Sequence, residues 1–429
     1  RYLVSMRAGE AAGNGLLHSE KCLSRVIFVK KDLRKNGNIR TLMIDNKIST
    51  RVVLQVLPHM NAGGLVRGAI DSAAAQVGAG WAALVASEGG HGVRELERVG
   101  AYHFHLPLAS KNPIVMFRNV RRLRRLITEH KIDMLHARSR APAWSALAAA
   151  RQSGVPLITT FHGTYSHRSW LKRHYNKVMT LGDGVISISQ HIADHIREVY
   201  GVSDDRMHVI YRGIDTNLFD PARVSAERVV NLANDWRLAD PIQVIMMPGR
   251  LARWKGQKVL IEAFARLGRR DIRCLIIGDD QGRHRYKREL EELIKRRDLT
   301  DVIYLPGHCR DMPAAYMLSD VVVSASTEPE AFGRVMVEAQ AMGRPVVASD
   351  HGASRETIIH GKTGWTFRPG DPEELADALR HSLALTSGER ERLAYNAISH
   401  VRHRFTVENM RNRTMTAYRA VLAQTTLVD

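Results

Sequence analysis

The chain has 429 residues, 44% hydrophobic and 25% charged, which is long for one core, comfortable for two, and ordinary for a globular protein. No apolar run reaches the ~18 residues of a membrane span, and three scattered cysteines (Cys22, Cys274, Cys309) without CxxC spacing argue against a disulfide framework or a zinc site and fit a reducing, cytoplasmic setting. The formal charge of +19 suits a polyanion such as nucleic acid, an anionic membrane face or a phosphorylated acceptor, and equally a well-solvated basic surface.

Residues 1–50 are basic and punctuated by Gly and Asn, with one short apolar run at 26–29. They lack the uninterrupted apolar core of a secretory signal. We assign them no fold role and expect a poorly ordered extension.

From Arg51 the pattern turns regular. Apolar strands are predicted at 52–57, 81–86, 133–136, 156–161, 184–188 and 208–211, with helix-period stretches at 65–77, 116–130, 142–152 and 190–200 between them. A polar connector spans 221–241. Alternation restarts with strands at 243–247, 273–278, 302–305, 320–324 and 345–348 and helices at 257–267 and 285–296. Amphipathic helices at 372–385 and 407–422 close the chain. Strands alternating with helices imply parallel, doubly wound sheets. Two halves of the same grammar predict two Rossmann-like domains facing a cleft, 51–235 and 240–405, with a helix within 406–429 packing back on the first domain.

Several strand ends carry chemistry, because ligands of parallel sheets collect at the carboxyl ends of strands. PHMNAGG (58–64) places Gly63 and Gly64 before a helix, where bare backbone and free N–H groups favour an anion; it is not GxGxxG, so no dinucleotide fingerprint is present. TTFHGTY (159–165) puts His162 at another strand end, a ligand position or a structural histidine. PGRLARWKG (248–256) holds Arg250 and Lys255 on a glycine-bounded loop that can neutralise a diphosphate, or simply be a solvated basic loop. GDDQG (278–282) and PGHCR (306–310) are further strand-end turns suited to bordering a base or ribose. In RNVRRLRR (118–125), arginines alternate with Val and Leu at helical spacing, leaving one face for phosphate, anionic lipid or water.

The segment 324–356 ties these together. A buried strand (DVVVSAS, 320–326) leads through a Pro-containing turn to Phe332-Gly333, a helix, and a second strand. Glu330 lies in the turn and Glu338 about one and a half turns into the helix, so both can face one ligand.

In this order the motifs resemble the retaining glycosyltransferases of family 4, of GT-B fold. EAFGRVMVE matches the family's E-x7-E motif as Glu330 and Glu338, Arg250 to Gly256 its diphosphate loop, Gly63-Gly64 its first-domain glycine loop, and His162 its strand-end histidine. The likeness covers roughly residues 51–425 and implies that 51–235 is the acceptor domain and 240–405 the donor domain. It implies that Glu330 holds sugar hydroxyls, Glu338 the nucleotide ribose, and Arg250 with Lys255 the leaving diphosphate, with no metal and no cofactor beyond the nucleotide-diphosphate sugar itself. Phe332, Gly333 and Arg334 would complete the donor site at a helix N-terminus, and His162 would support positive charge at the anomeric centre. The chain departs from the family where a Glu often follows the glycine loop: here it has Leu65-Val66-Arg67.

HARSRAPAW (136–144) with TFHGTY resembles a bacterial subgroup linked with lipopolysaccharide core assembly. The implied partners are a nucleotide-sugar donor, a glycan or lipid-linked acceptor, and an anionic membrane face on which the protein sits peripherally. Nucleic acid is not expected, because aromatics are 6% of the chain and do not interleave with its basic runs. The alternatives are a nucleotide-sugar epimerase of the same fold, or a non-catalytic sugar-nucleotide or polyanion-binding protein.

Overall fold

The computed structural model describes residues 51–426 apart from 62, 166–168 and 239–240, so the extension predicted for 1–50, with Cys22, lies outside the described residues. Strands β1 (Val52–Val56), β2 (Ala82–Ser87), β3 (Tyr102–His105), β4 (Met134–Ala137), β5 (Leu157–Phe161), β6 (Gly184–Ser187) and β7 (Met207–Val209) form one sheet, ordered β3-β2-β1-β4-β5-β6-β7. Strands β8 (Gln243–Pro248), β9 (Ile272–Ile277), β10 (Ile303–Gly307), β11 (Val321–Ser324), β12 (Val346–Ser349) and β13 (Trp365–Phe367) form the second, ordered β10-β9-β8-β11-β12-β13. Every pairing is parallel. Both sheets therefore reverse direction next to their first strand, between β1 and β4 and between β8 and β11. Those two switch points are where a doubly wound sheet opens a crevice. The two-domain, doubly wound expectation holds.

The central strands are apolar on both faces, as burial between helix layers requires. β3 and β13 escaped the sequence reading. Both are short edge strands, and β3 (YHFH) is half exposed, so neither carries an apolar run.

Helices form where local signals agree. Pro113–Glu129 opens with Pro at its first turn and Asn112 Oδ1 accepting from Ile114 N at 2.9 Å. Gln190–Tyr200 begins at Ser189, whose Oγ caps Ile192 N, and stops at left-handed Gly201. The connector is not featureless. Ser225 caps a helix, Ala226–Asp235, anchored when Arg228 grips Asp311 through two hydrogen bonds of 2.8 and 2.6 Å.

The last helix, Val407–Thr426, lies on the first sheet: Tyr418 and Val421 join Val53, Met134, Ile158 and Ile186 in one buried cluster. The Tyr418 hydroxyl meets His136 Nδ1 at 2.6 Å, and Arg411 reaches Asp71 at 3.0 Å.

The sheets belong to one contact unit, Asp45–Asp429, and they are latched directly. The carboxylate of Glu356, on the second domain, accepts from Gln190 N at 2.7 Å and His191 N at 2.6 Å. It thereby caps the first domain's helix Gln190–Tyr200 at its positive end.

Candidate active site

The second switch point brings two loops together. β8 runs into the loop carrying Arg250 and Lys255, which ends at Gly256 with φ of 78°. A Cβ there would lie 1.7 Å from the Ala325 carbonyl, so only glycine lets this loop press on the one that follows β11. Thr327 N donates to Trp254 O at 2.7 Å, stitching the same two loops.

Lys255 Nζ thereby reaches a Glu330 oxygen and forms an ion pair, while Ser326 Oγ donates to the same oxygen at 2.7 Å. The Glu330 backbone is fixed in turn by a bridge to Gly352 and by Ala353 N at 2.9 Å. Gly249, Lys255, Ser326, Glu330, Gly333 and Arg334 line one cavity of about 120 Å³.

Gly333, left-handed at φ 73°, starts helix Arg334–Ala341, and Gly333, Arg334 and Val335 at this helix start line the cavity. Arg334 pairs with Glu338 at 3.3 Å one turn on, and the Tyr316 hydroxyl donates to Glu338 at 3.0 Å. Burial raises the Glu338 carboxyl above the usual carboxylate range, against the opposing pull of Arg334 and Tyr316.

The other predicted donor residues sit differently. Arg250 is exposed outside the cavity lining and makes a long 3.5 Å contact with Gln281. The Phe332 side chain is 3% exposed and packs edge-on against Phe405 at 5.8 Å. Among the described residues, no group of three or more His, Cys, Asp or Glu is placed to hold a metal ion.

In the first domain a Cβ at Gly63 or Gly64 would meet open space, leaving the backbone approachable, and Gly63 at φ 112° precedes helix Gly64–Gly78. Arg67, standing where the family often has Glu, is taken up by Glu95 at 2.6 Å and Asp71 at 3.5 Å. His162 follows β5, and the neighbouring Gly163 approaches Ala331 of the Glu330 turn, a Cβ there lying 4.0 Å from the alanine methyl. His162 thus stands opposite the donor loops.

Its Nδ1 meets Arg212 Nη2, its Nε2 is buried without a hydrogen-bond partner among the described residues, and burial, Arg212 and Arg138 hold its pKa well below the ordinary value. Arg212, Ser326 and Tyr316 escaped the sequence reading. The only signal for Arg212 is an Arg-Gly pair just beyond the last strand of the first half.

Two all-parallel sheets, with the loop after β5 of the first approaching the Glu330 turn of the second beside a Lys–Glu pair and a helix N-terminus, define a GT-B glycosyltransferase. The family profiles agree, "Glycosyltransferase Family 4" matching residues 62–218 and "Glycosyl transferases group 1" residues 232–400. The chain belongs to glycosyltransferase family 4. It is 32% identical to a glycosyltransferase from Rickettsia africae, with a TM-score of 0.82, covering 87% of this chain and 99% of that one. HepE of Anabaena, solved with UDP and glucose, is 25% identical with a TM-score of 0.75, covering 86% and 100%. A D-inositol 3-phosphate glycosyltransferase from Xylanimonas cellulosilytica is 30% identical over 281 residues, 62% of this chain. The chain spans 60–66% of the length of the first curated relatives it matches.

Proposed function

We propose that the protein is a retaining, metal-independent hexosyltransferase that moves a sugar from a nucleotide-diphosphate sugar to a glycan or lipid-linked acceptor, a lipopolysaccharide-core oligosaccharide among these. The observation that carries the reading is the meeting of Lys255 and Glu330 at the second switch point, beside the N-terminus of helix Arg334–Ala341. A cation, a hydroxyl-binding carboxylate and an anion-binding helix start are what a sugar diphosphate offers partners for.

In this reading the bond between the anomeric carbon and the diphosphate oxygen breaks. The acceptor oxygen bonds to that carbon on the same face, and its proton leaves with the diphosphate. Lys255, Arg250 and the helix N–H groups bind the charge that gathers on the leaving group, in the role a divalent metal takes elsewhere. Glu330 holds sugar hydroxyls and Glu338 the ribose. Gly63 and Gly64 admit the diphosphate closely, and His162 faces the anomeric side.

The acceptor side supports a membrane-bound partner. Helix Pro113–Glu129 buries Val120, Leu123, Leu126 and Ile127 and turns five exposed arginines outward: Arg118, Arg121, Arg122, Arg124 and Arg125. Among the described residues none of the five has a carboxylate within ion-pair distance. Ile114 and Phe117 on this helix are 63% and 60% exposed. Apolar side chains beside unpaired arginines fit an anionic lipid face. No helix among the described residues is long and apolar enough to cross a membrane.

A thermal-shift panel of UDP-, GDP- and ADP-sugars tests the donor assignment, since a tight ligand stabilises only the folded chain. One nucleotide class should raise Tm, and Lys255→Ala should abolish the shift. A free epimerised sugar nucleotide made without acceptor would overturn transfer.

A further inference from the structure

Arg212 follows the last strand of the first sheet, yet only 9% of it is exposed, and among the described residues it has no carboxylate within ion-pair distance. The nearby acid, Asp71, is engaged by Arg67 and Arg411 instead. A buried guanidinium without an ion-pair partner is unfavourable, and folds keep one where it serves a site. Its position is built in. The guanidinium lies against Gly68 in helix Gly64–Gly78, where a Cβ would fall 2.1 Å from Nη1. Its one hydrogen bond among the described residues goes to His162 Nδ1.

An arginine only donates, so the imidazole nitrogen it meets must be the bare, accepting one. The ring proton then sits on Nε2, the buried nitrogen that has no partner among the described residues. We propose that Arg212 is a positioning residue that fixes His162 as the neutral tautomer protonated on Nε2, so that the ring offers the donor sugar a hydrogen bond and not a second positive charge. This rests on the transferase reading above and deepens it. A reacting sugar that gains positive charge is disfavoured by an imidazolium beside it and is compatible with a neutral ring. A ring that must keep its proton on one nitrogen also has one fixed direction in which to donate.

Arg138 and His136 stand near the ring, Tyr165 lies on its own loop, and Asp71 and Arg334 act on Arg212. Burial first, then Arg212 and Arg138, disfavour the imidazolium. A depressed His pKa is a stability contribution present above the ordinary value and lost as the pH falls below it, so His162 stays neutral through the physiological range.

The test is long-range ¹H–¹⁵N correlation on the full chain with ¹⁵N-labelled histidine, His162 being assigned by its disappearance in His162→Gln. The expected spectrum shows a single Nε2–H tautomer, unchanged from about pH 6 to 8. Arg212→Met should mix the tautomers, while burial and Arg138 still hold the ring neutral over the same range. Gly68→Ala should do the same by displacing the guanidinium, while the helix, which favours Ala over Gly, stays folded. In kcat/KM for transfer from whichever UDP-, GDP- or ADP-sugar is accepted, both variants should fall several-fold, by the same factor at pH 6 and pH 8, because part of the population has turned its ring proton to Nδ1. An Nδ1–H ring in the parent, or a His162 spectrum that neither variant alters, overturns the proposal. The expected spectra without transfer from any sugar nucleotide would overturn the transferase reading and leave the tautomer assignment standing.

Discussion

Lys255 and Glu330 lie 75 residues apart in sequence and form an ion pair where β8 and β11 run side by side. Both are mostly withdrawn from solvent, with side chains 20% and 12% exposed, and Ser326 adds its hydroxyl to the same carboxylate oxygen. The pair sets a cation at one end of the cavity and a hydroxyl acceptor beside it, before any ligand arrives. Such preorganisation is what stabilises charge in a transition state without reorganising the site.

If fixed cations do the work of a metal, transfer should be indifferent to chelation. Initial rates in excess EDTA should match those in Mg²⁺ or Mn²⁺ within about twofold, against the losses of ~10² or more that follow removal of a catalytic charge. A rate that collapses in EDTA and returns with one metal would refute the assignment of Arg250 and Lys255.

Glu338 should reveal itself by a trade of stability for binding. Its carboxyl is raised above the ordinary range, so the fold holds that proton more tightly than the unfolded chain does, and the stability it lends at low pH is lost as pH rises through the folded value. Wherever the group is ionised it is therefore a burden. Glu338→Gln should raise Tm by a few degrees, on the order of 1 kcal/mol, and weaken the donor about tenfold through the lost ribose contact. Calorimetry and donor KM check the two halves; a variant both less stable and unimpaired in KM would count against a binding role.

Much of this was legible in the residues, and the gaps have physical causes. The strands of both sheet centres and the helices at 190–200 and 257–267 follow from uninterrupted apolar runs and clear 3.6-residue periods. Ser387–Arg404 went unread because its buried stripe is only Leu393, Ala397 and Val401, too narrow to raise a period. Helix Ala226–Asp235 buries no residue at all, so composition alone pointed to a loop. Glu330 and Lys255 were visible as motif residues, but their meeting depends on strand order, which sequence does not print. Arg212 was invisible for a related reason: its importance lies in what surrounds it after folding.

Glu356 should control how firmly the domains hold together. It caps two backbone N–H groups of the opposite domain, an interaction of about 1–2 kcal/mol for a charged cap at a helix start. Glu356→Ala should enlarge the radius of gyration in solution scattering and lower kcat several-fold, with donor binding little changed. Unchanged scattering and kcat would show that the latch is incidental.

The arginine helix should decide membrane association. Reversing Arg121, Arg124 and Arg125 to Glu should abolish cosedimentation with vesicles containing about 30% phosphatidylglycerol, since each basic residue near such a surface contributes ~1 kcal/mol. The parent should bind these vesicles, release in high salt, and ignore neutral ones. Equal binding by parent and variant would remove this face from the account.

The most direct measurement is the steady-state rate of sugar transfer by Lys255→Ala and Glu330→Ala, each against the parent, with the sugar nucleotide that raises Tm and with the anomeric configuration of the product read by NMR. Each variant should lose on the order of 10²–10³ in kcat/KM with the fold intact, and the parent's product should keep the donor's configuration. Full transfer by either variant, or an inverted product, would contradict the claim that this ion pair is the heart of a retaining donor site.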